Sequence, residues 1–222
     1  MTLSETANQF RHICAFFHDQ DEQHRTLLPY IKEGLDRGER VVHIVNSTYR
    51  DEYRRRLREG GIDVLAAESR GQLEVLSWAE TYLAGGSFHQ EATLDLADRI
   101  LSEGRSKGFS RTRAIGDMDW FRENRMGIEH VASGDSSIPG LPCSELLSYE
   151  ARLNRMLSKH DPDSVICVYD LSRFSGLVIL GAMRTHPAAI VGGTLQQNPF
   201  YVPPEIVLDE IREREVRERA GG

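Results

Sequence analysis

Two stretches of this 222-residue chain carry side chains that could do chemistry: FHDQDEQH, with His18, Asp19, Asp21, Glu22 and His24, and RAIGDMDW, with Asp117, Asp119 and Trp120. Histidine nitrogens and carboxylate oxygens are ligands for zinc or iron, so His18, Asp19, Asp21 and His24 are a candidate metal set. The stronger reading is that they open a helix, whose free amides and dipole attract negative charge. Asp117 and Asp119 suggest acid–base work. Alternate residues of an extended segment point to opposite sides, which favours a capping role for at least one of them. Of the three cysteines, Cys14 and Cys167 lie in apolar runs and read as core residues with inert thiols. Cys143, in LPCSELL, precedes a helix whose dipole would lower its pKa. No GxSxG turn is present, which sets a serine hydrolase aside.

The elements around these residues follow from hydrophobic period. Ile13–Phe17 reads as a strand, His18–His24 as a polar loop, and the chain from Arg25 as a helix with Leu27, Leu28, Ile31 and Leu35 on one face. This strand–loop–helix is where many α/β folds cradle a phosphate on glycine amides. Here the loop has neither glycine nor lysine, and a phosphate would meet carboxylates. Further strands are expected at Arg40–Val45, Leu73–Leu76, Arg111–Ile115, Val165–Tyr169 and Ala188–Val191. Helices are expected at 48–60, 89–107, 146–157 and 176–184, and Trp78–Phe88, with Gly85 and Gly86, reads as a loop or lid. Pro199, Pro203 and Pro204 then interrupt regular structure before a terminal helix over 205–220. The chain divides into a tail (1–10), one domain (11–204) and this helix with its tail (205–222).

Strands alternating with helices predict an α/β fold: a three-layer, mostly parallel sheet with helices on both faces. Ligands of such sheets bind beyond the C-terminal strand ends. That rule nominates His18, Asp19, Asn46, Ser47, Ser77, Trp78, Asp117, Asp119, Trp120, Tyr169, Asp170 and Arg173, with Thr185 and His186, as a polar and aromatic rim. Net charge is −7 and no basic tail is present, so nucleic acid is not an expected partner. The longest apolar runs are too short to cross a bilayer, and the N-terminus lacks the pattern of a signal peptide. An odd cysteine count without CxxC spacing fits a reduced cytoplasm.

The segments HICAFF, GQLEVLSWAETYLAGGSF, RAIGDMDW, VICVYDLSRFSGLVILGAMRTHPAAIVGG and NPFYVPP, in this order, resemble the MEDS domain, the methanogen/methylotroph sensory domain. The resemblance runs from about Arg11 to about Pro204. It implies a RecA/KaiC-like core without a working phosphate loop, acting as a sensory domain for small organic molecules. Relatives stand alone or are fused to histidine kinases and transcription regulators. The family offers no catalytic residues to carry over, and no cofactor is expected beyond an unidentified small-molecule ligand; its motif positions here that would face a pocket are His12, Asp117, Trp120, Tyr169, Asp170, Arg173 and His186. Asp117 could stand in a magnesium position, but one part of an ATPase is not an ATPase. The expectation is a non-enzymatic sensor that signals through a kinase, an anti-sigma factor or a transcription regulator, with the terminal helix as the contact and a homodimer possible. The competing readings are a degenerate nucleotide-binding protein and an interaction module without a ligand.

Overall fold

In the computed structural model, residues 7, 9–122 and 141–221 are described. Seven strands form one sheet in the order β3-β2-β4-β5-β1-β6-β7. They are β1 (His12–Phe17), β2 (Arg40–Val45), β3 (Leu73–Ser77), β4 (Thr112–Asp117), β5 (Ser164–Asp170), β6 (Ala188–Val191) and β7 (Thr194–Gln197). All pairings are parallel except β6 with β7. β1 lies between β5 and β6, with Cys14 opposite both Cys167 and Ala189. The α/β fold class read from the alternation of elements is the one observed.

Helices cover both faces. On one side are α1 (Gln20–Asp36), α2 (Arg50–Glu59) and α3 (Val64–Ser69), which pack Leu27, Ile31, Tyr53, Leu57 and Val64 against Ile13, Ala15, Phe17 and Ile166. On the other side are α4 (Gln90–Ser106), α5 (Leu141–Leu157) and α6 (Gly176–Thr185), whose Leu94, Leu101, Tyr149, Leu153 and Ala182 meet Cys14, Phe16 and Cys167. Strands of a doubly covered parallel sheet are apolar throughout, because both faces lose water. β1 and β5 are accordingly buried along nearly their whole length. The terminal helix, α7 (Pro204–Gly221), packs against α5 and α6 with Val207 buried, while Arg212 to Arg217 are exposed.

Four elements differ from expectation. α1 begins at Gln20, five residues before Arg25, because Asp19 caps it: its carboxylate accepts from the Glu22 amide at 2.8 Å. Most of the expected polar loop is therefore the first helical turn. α3, capped by Asp63, and the antiparallel β7 are additional; both are too short for a periodic signal to stand out. Trp78–Phe88 is not a free lid. It opens with a 3-10 turn (Trp78–Glu80) and is anchored by Trp78, Tyr82 and Phe88, all buried. Tyr82 stacks on Trp120 with ring centroids 4.9 Å apart, and Phe88 meets the same ring at 4.5 Å. Gly116 makes this possible, since a Cβ there would lie 2.3 Å from the Tyr82 hydroxyl.

The N-terminal edge of the sheet holds two fully buried arginines. Arg113 pairs with Glu39 at 2.5 Å, donates to the Tyr30 carbonyl at 2.7 Å and lies over the Tyr30 ring. α1 can cross this guanidinium only because residue 34 is glycine; a Cβ there would lie 2.8 Å from Arg113 Cδ. Arg40 donates to the Ile100 carbonyl at 2.5 Å and pairs with Glu74 and Glu103. Removing one member of a buried pair strands the other charge. Arg113→Met should lower the unfolding free energy in urea by about 3–5 kcal/mol. A loss below about 1 kcal/mol would show that Glu39 is rehydrated when its partner goes.

Candidate functional site

The strand ends build a pocket of about 50 Å³ lined by Asp19, Gln20, Gln23, Asn46, Tyr49, Trp78, Asp117, Asp119, Asp170 and Arg173, with Phe17 and Val168 at its base. Asp117 ends β4 on the α1 side of the sheet, where it accepts from Gln23 Nε2 at 2.8 Å and lies 3.2 Å from His43 Nε2. The chain leaves the strand after Asp117 and turns through Met118–Trp120. This turn brings Asp119 into the same pocket. The alternation expected to keep the two carboxylates apart does not apply beyond the end of the strand. Asp119 pairs with Arg173 through Oδ2, whereas its Oδ1 is buried without a hydrogen-bond partner. Trp78 Nε1 is likewise buried and unpartnered. Asp119 and Trp78 both line this cavity, and each carries one buried polar atom without a hydrogen-bond partner.

The pocket is acidic. Burial pushes the Asp119 carboxyl up to about 6, opposed by Arg173 and reinforced by Asp117 and Asp170. Asp170 Oδ1 accepts from the Ser172 amide at 2.8 Å and its hydroxyl at 2.6 Å, which fixes the β5 exit. Asn46 does the same for Thr48. Gln23, His43 and Tyr49 were not apparent from sequence. Gln23 and Tyr49 enter because α1 and α2 start at the strand ends, and His43 because β2 alternates it onto the α1 face.

The first-turn residues perform other work. His18 is exposed, and its amide donates to Glu22 Oε2 at 2.8 Å. Asp19 caps α1, and Asp21 pairs with Arg56 at 2.6 Å. Desolvation, with the Arg56 charge, lowers the pKa of the half-buried His24. Among the described residues these side chains do not converge on a metal position.

Three rim candidates, and His12 from the family motif, lie elsewhere. Trp120 is fully buried among Tyr82, Phe88, Phe121 and Tyr149, in the core on the α5 side. Tyr169 points to that same side, because alternation in β5 sets it with Val165 and Cys167. His12 opens β1, and His186 precedes β6, which runs parallel to β1, so both sit away from the C-terminal strand ends. His12 and His186 meet instead, with ring centroids 3.9 Å apart, beside Glu150 of α5 and Cys167 of β5. Glu150 is fully buried, and its Oε1 accepts from the Tyr169 hydroxyl at 2.7 Å. Burial depresses both imidazoles to about 3 and raises the Glu150 carboxyl. Glu150 had a sequence signal: it follows Leu146 by four residues and precedes Leu153 by three, so it shares their inward face. The side chain of Cys143 lies outside the described residues.

A family model described as MEDS, "MEthanogen/methylotroph, DcmR Sensory domain", matches residues 11–187. The chain belongs to the MEDS family. The transcriptional repressor DcmR of Methylorubrum extorquens is 26% identical over 177 residues, covering 79% of this chain and 57% of that protein. This MEDS chain thus spans a little over half the length of that relative. A KaiC-like protein from Pyrococcus horikoshii OT3 matches with a TM-score of 0.45 and 12% identity, over 82% of this chain and 70% of that one. The MEDS match ends at 187, before β6, β7 and α7. It includes every residue lining the strand-end pocket and all four residues of the buried cluster. Among the described residues no helix of this MEDS chain is long and apolar enough to cross a membrane.

The Asp119 environment has a pH signature. Its folded pKa, about 6, lies above the ordinary aspartate value of 3.8. The folded state therefore holds the proton more tightly than the unfolded one, and this contribution to stability is complete below about pH 4 and lost as pH rises to about 6. The stability of Asp119→Asn relative to wild type should rise over that window, measured by urea unfolding at successive pH values. A difference that is flat from pH 4 to 6.5 would mean that Arg173 keeps Asp119 ionised.

Proposed function

We propose that this MEDS domain binds a small organic molecule in the pocket between Asp117, Asp119, Trp78 and Arg173, and passes its occupancy to a regulatory protein without chemical turnover. The observation that carries this reading is one preformed cavity lined by Asp119 and Trp78, two residues whose Oδ1 and Nε1 are buried without partners. Buried polar atoms without partners are uncommon in native proteins and call for an explanation; a ligand that donates to the carboxylate and accepts from the indole supplies one. The pocket holds a ligand of a few heavy atoms. Its charge selects against phosphate: Asp19, Asp117, Asp119 and Asp170 face one Arg173. A neutral polar molecule with both a donor and an acceptor, such as a short amine, amide or alcohol, suits it.

A sensory role agrees with membership of MEDS and with similarity to a repressor. We place the domain in the cytoplasm and assign the outward contact to α7. Beyond Val207 this helix is mostly charged and exposed, and it is held to α6 by Arg184 and Glu210 at 2.7 Å. A kinase, an anti-sigma factor or a transcription regulator is the class of partner that such a contact serves, and a second copy of the chain could dock there too.

The test is thermal unfolding with a panel of small amines, amides and alcohols beside Mg-ATP and Mg-GTP. A molecule at about a hundred times its Kd adds about 2.7 kcal/mol to a folded state that alone binds it. For a chain of this size that is a rise in Tm of several degrees. We expect such a rise with a member of the small-molecule panel, and its loss in Asp119→Ala. A rise with nucleotide alone, abolished in Asp117→Ala, would replace this reading with that of a degenerate nucleotide-binding protein.

A further inference from the structure

We propose that His12 Nε2, Glu150 Oε2, Cys167 Sγ and His186 Nε2 are the four ligands of a buried divalent transition-metal site, of the zinc class. These atoms come from β1, α5, β5 and the turn before β6, and all lie within 4.8 Å of one another. A tetrahedral ion with bonds of about 2.0–2.3 Å needs ligand–ligand edges of about 3.3–3.8 Å. Four of the six edges stand close to that without an ion. His12 to Glu150 is 3.2 Å, His12 to Cys167 3.5 Å, Cys167 to Glu150 3.6 Å, and His186 to Glu150 3.6 Å.

The surroundings prepare these atoms as ligands. His186 Nδ1 lies 2.7 Å from the Ala182 carbonyl, which can only accept, so Nδ1 carries the proton. The lone pair on Nε2 then faces the cluster. That nitrogen is fully buried, with no hydrogen-bond partner. Metal-bound histidines are held in this way, through the other nitrogen, by a carbonyl or carboxylate. Tyr169 occupies Glu150 Oε1 and leaves Oε2 for the ion. His12 Nδ1 is the outer position without a partner.

Charge balance supports the assignment. A divalent ion with one thiolate, one carboxylate and two neutral imidazoles has no net charge, which is the condition for a site at 0–2% exposure. Binding displaces the thiol proton to solvent, together with any proton that Glu150 holds, and no redox change is involved. Mixed thiolate, imidazole and carboxylate ligands in a tetrahedron suit zinc. Four protein ligands leave no open position, so the role is structural. The ion would hold α5 and the α6–β6 corner to the two central strands. His12 also lines a cleft of about 1010 Å³, beside Arg11, Asp98, Asn154 and Tyr201.

The test is cobalt titration of the full chain after chelation, followed by absorbance, with zinc competition and thermal unfolding. We expect one Co²⁺ per chain, ligand-field bands of a tetrahedral ion, a thiolate-to-cobalt charge-transfer band, displacement by Zn²⁺, and a higher Tm with either metal. Cys167→Ser should lose the charge-transfer band and Cys143→Ser keep it. Tyr169→Phe, which retains all four ligands, should weaken binding by about tenfold or more. A folded wild-type chain that binds no Co²⁺, or one whose bands survive in Cys167→Ser, would overturn the site. If Cys167→Ser does not fold, the wild-type titration and Tyr169→Phe decide: unchanged affinity in Tyr169→Phe counts against it.

Discussion

A parallel sheet covered on both faces removes water from every side chain its inner strands carry, and this constraint shapes the rest of the molecule. β1 and β5 are apolar nearly throughout, so their exceptions must find partners within the protein. His12 and Cys167 find them in each other and in Glu150. At the N-terminal edge, Arg40 and Arg113 point inward and draw Glu39, Glu74 and Glu103 after them. These contacts hold α1 and α4 to the sheet at the end remote from the pocket.

The two polar regions differ because water reaches them differently. At the C-terminal strand ends the sheet stops supplying hydrogen-bonding neighbours, helices begin, and their first residues turn toward the open edge. Asp117, Asp119 and Asp170 keep partial contact with solvent, and Arg173, Gln23 and His43 hold them in place. The cluster around Glu150 is closed off by α5 and α6, so burial outweighs every pairwise attraction there and keeps its histidines neutral. The open region suits a ligand that comes and goes. The closed one suits a component that stays.

Where a nucleotide-binding α/β fold places glycine amides to hold phosphate, this chain opens α1 with Asp19 as a side-chain cap and Asp21 and Glu22 in the first turn. The helix N-terminus is thereby satisfied internally. An anion would have to displace a carboxylate that already accepts from the Glu22 amide.

Sequence alone determined the alternation of strands and helices, hence the sheet class, because periods of 2 and 3.6 are local properties. β2 was legible to the residue, since Gly38 and Asn46 bracket a run rich in β-branched residues, Val41, Val42, Ile44 and Val45. It also determined the acidity of the first loop and the absence of a phosphate cradle. Cap chemistry at Asp19 and the packing of Trp78–Phe88 on Trp120 were harder to read, because each depends on a partner that becomes a neighbour only when the element folds. Only the tertiary structure decided that Asp119 turns into the pocket beside Asp117, and that His12, Glu150, Cys167 and His186 meet. These four lie up to 174 residues apart, at 12, 150, 167 and 186. Strand order places β1 between β5 and β6 and lays α5 across them, and strand order is a property of the assembled sheet rather than of any segment.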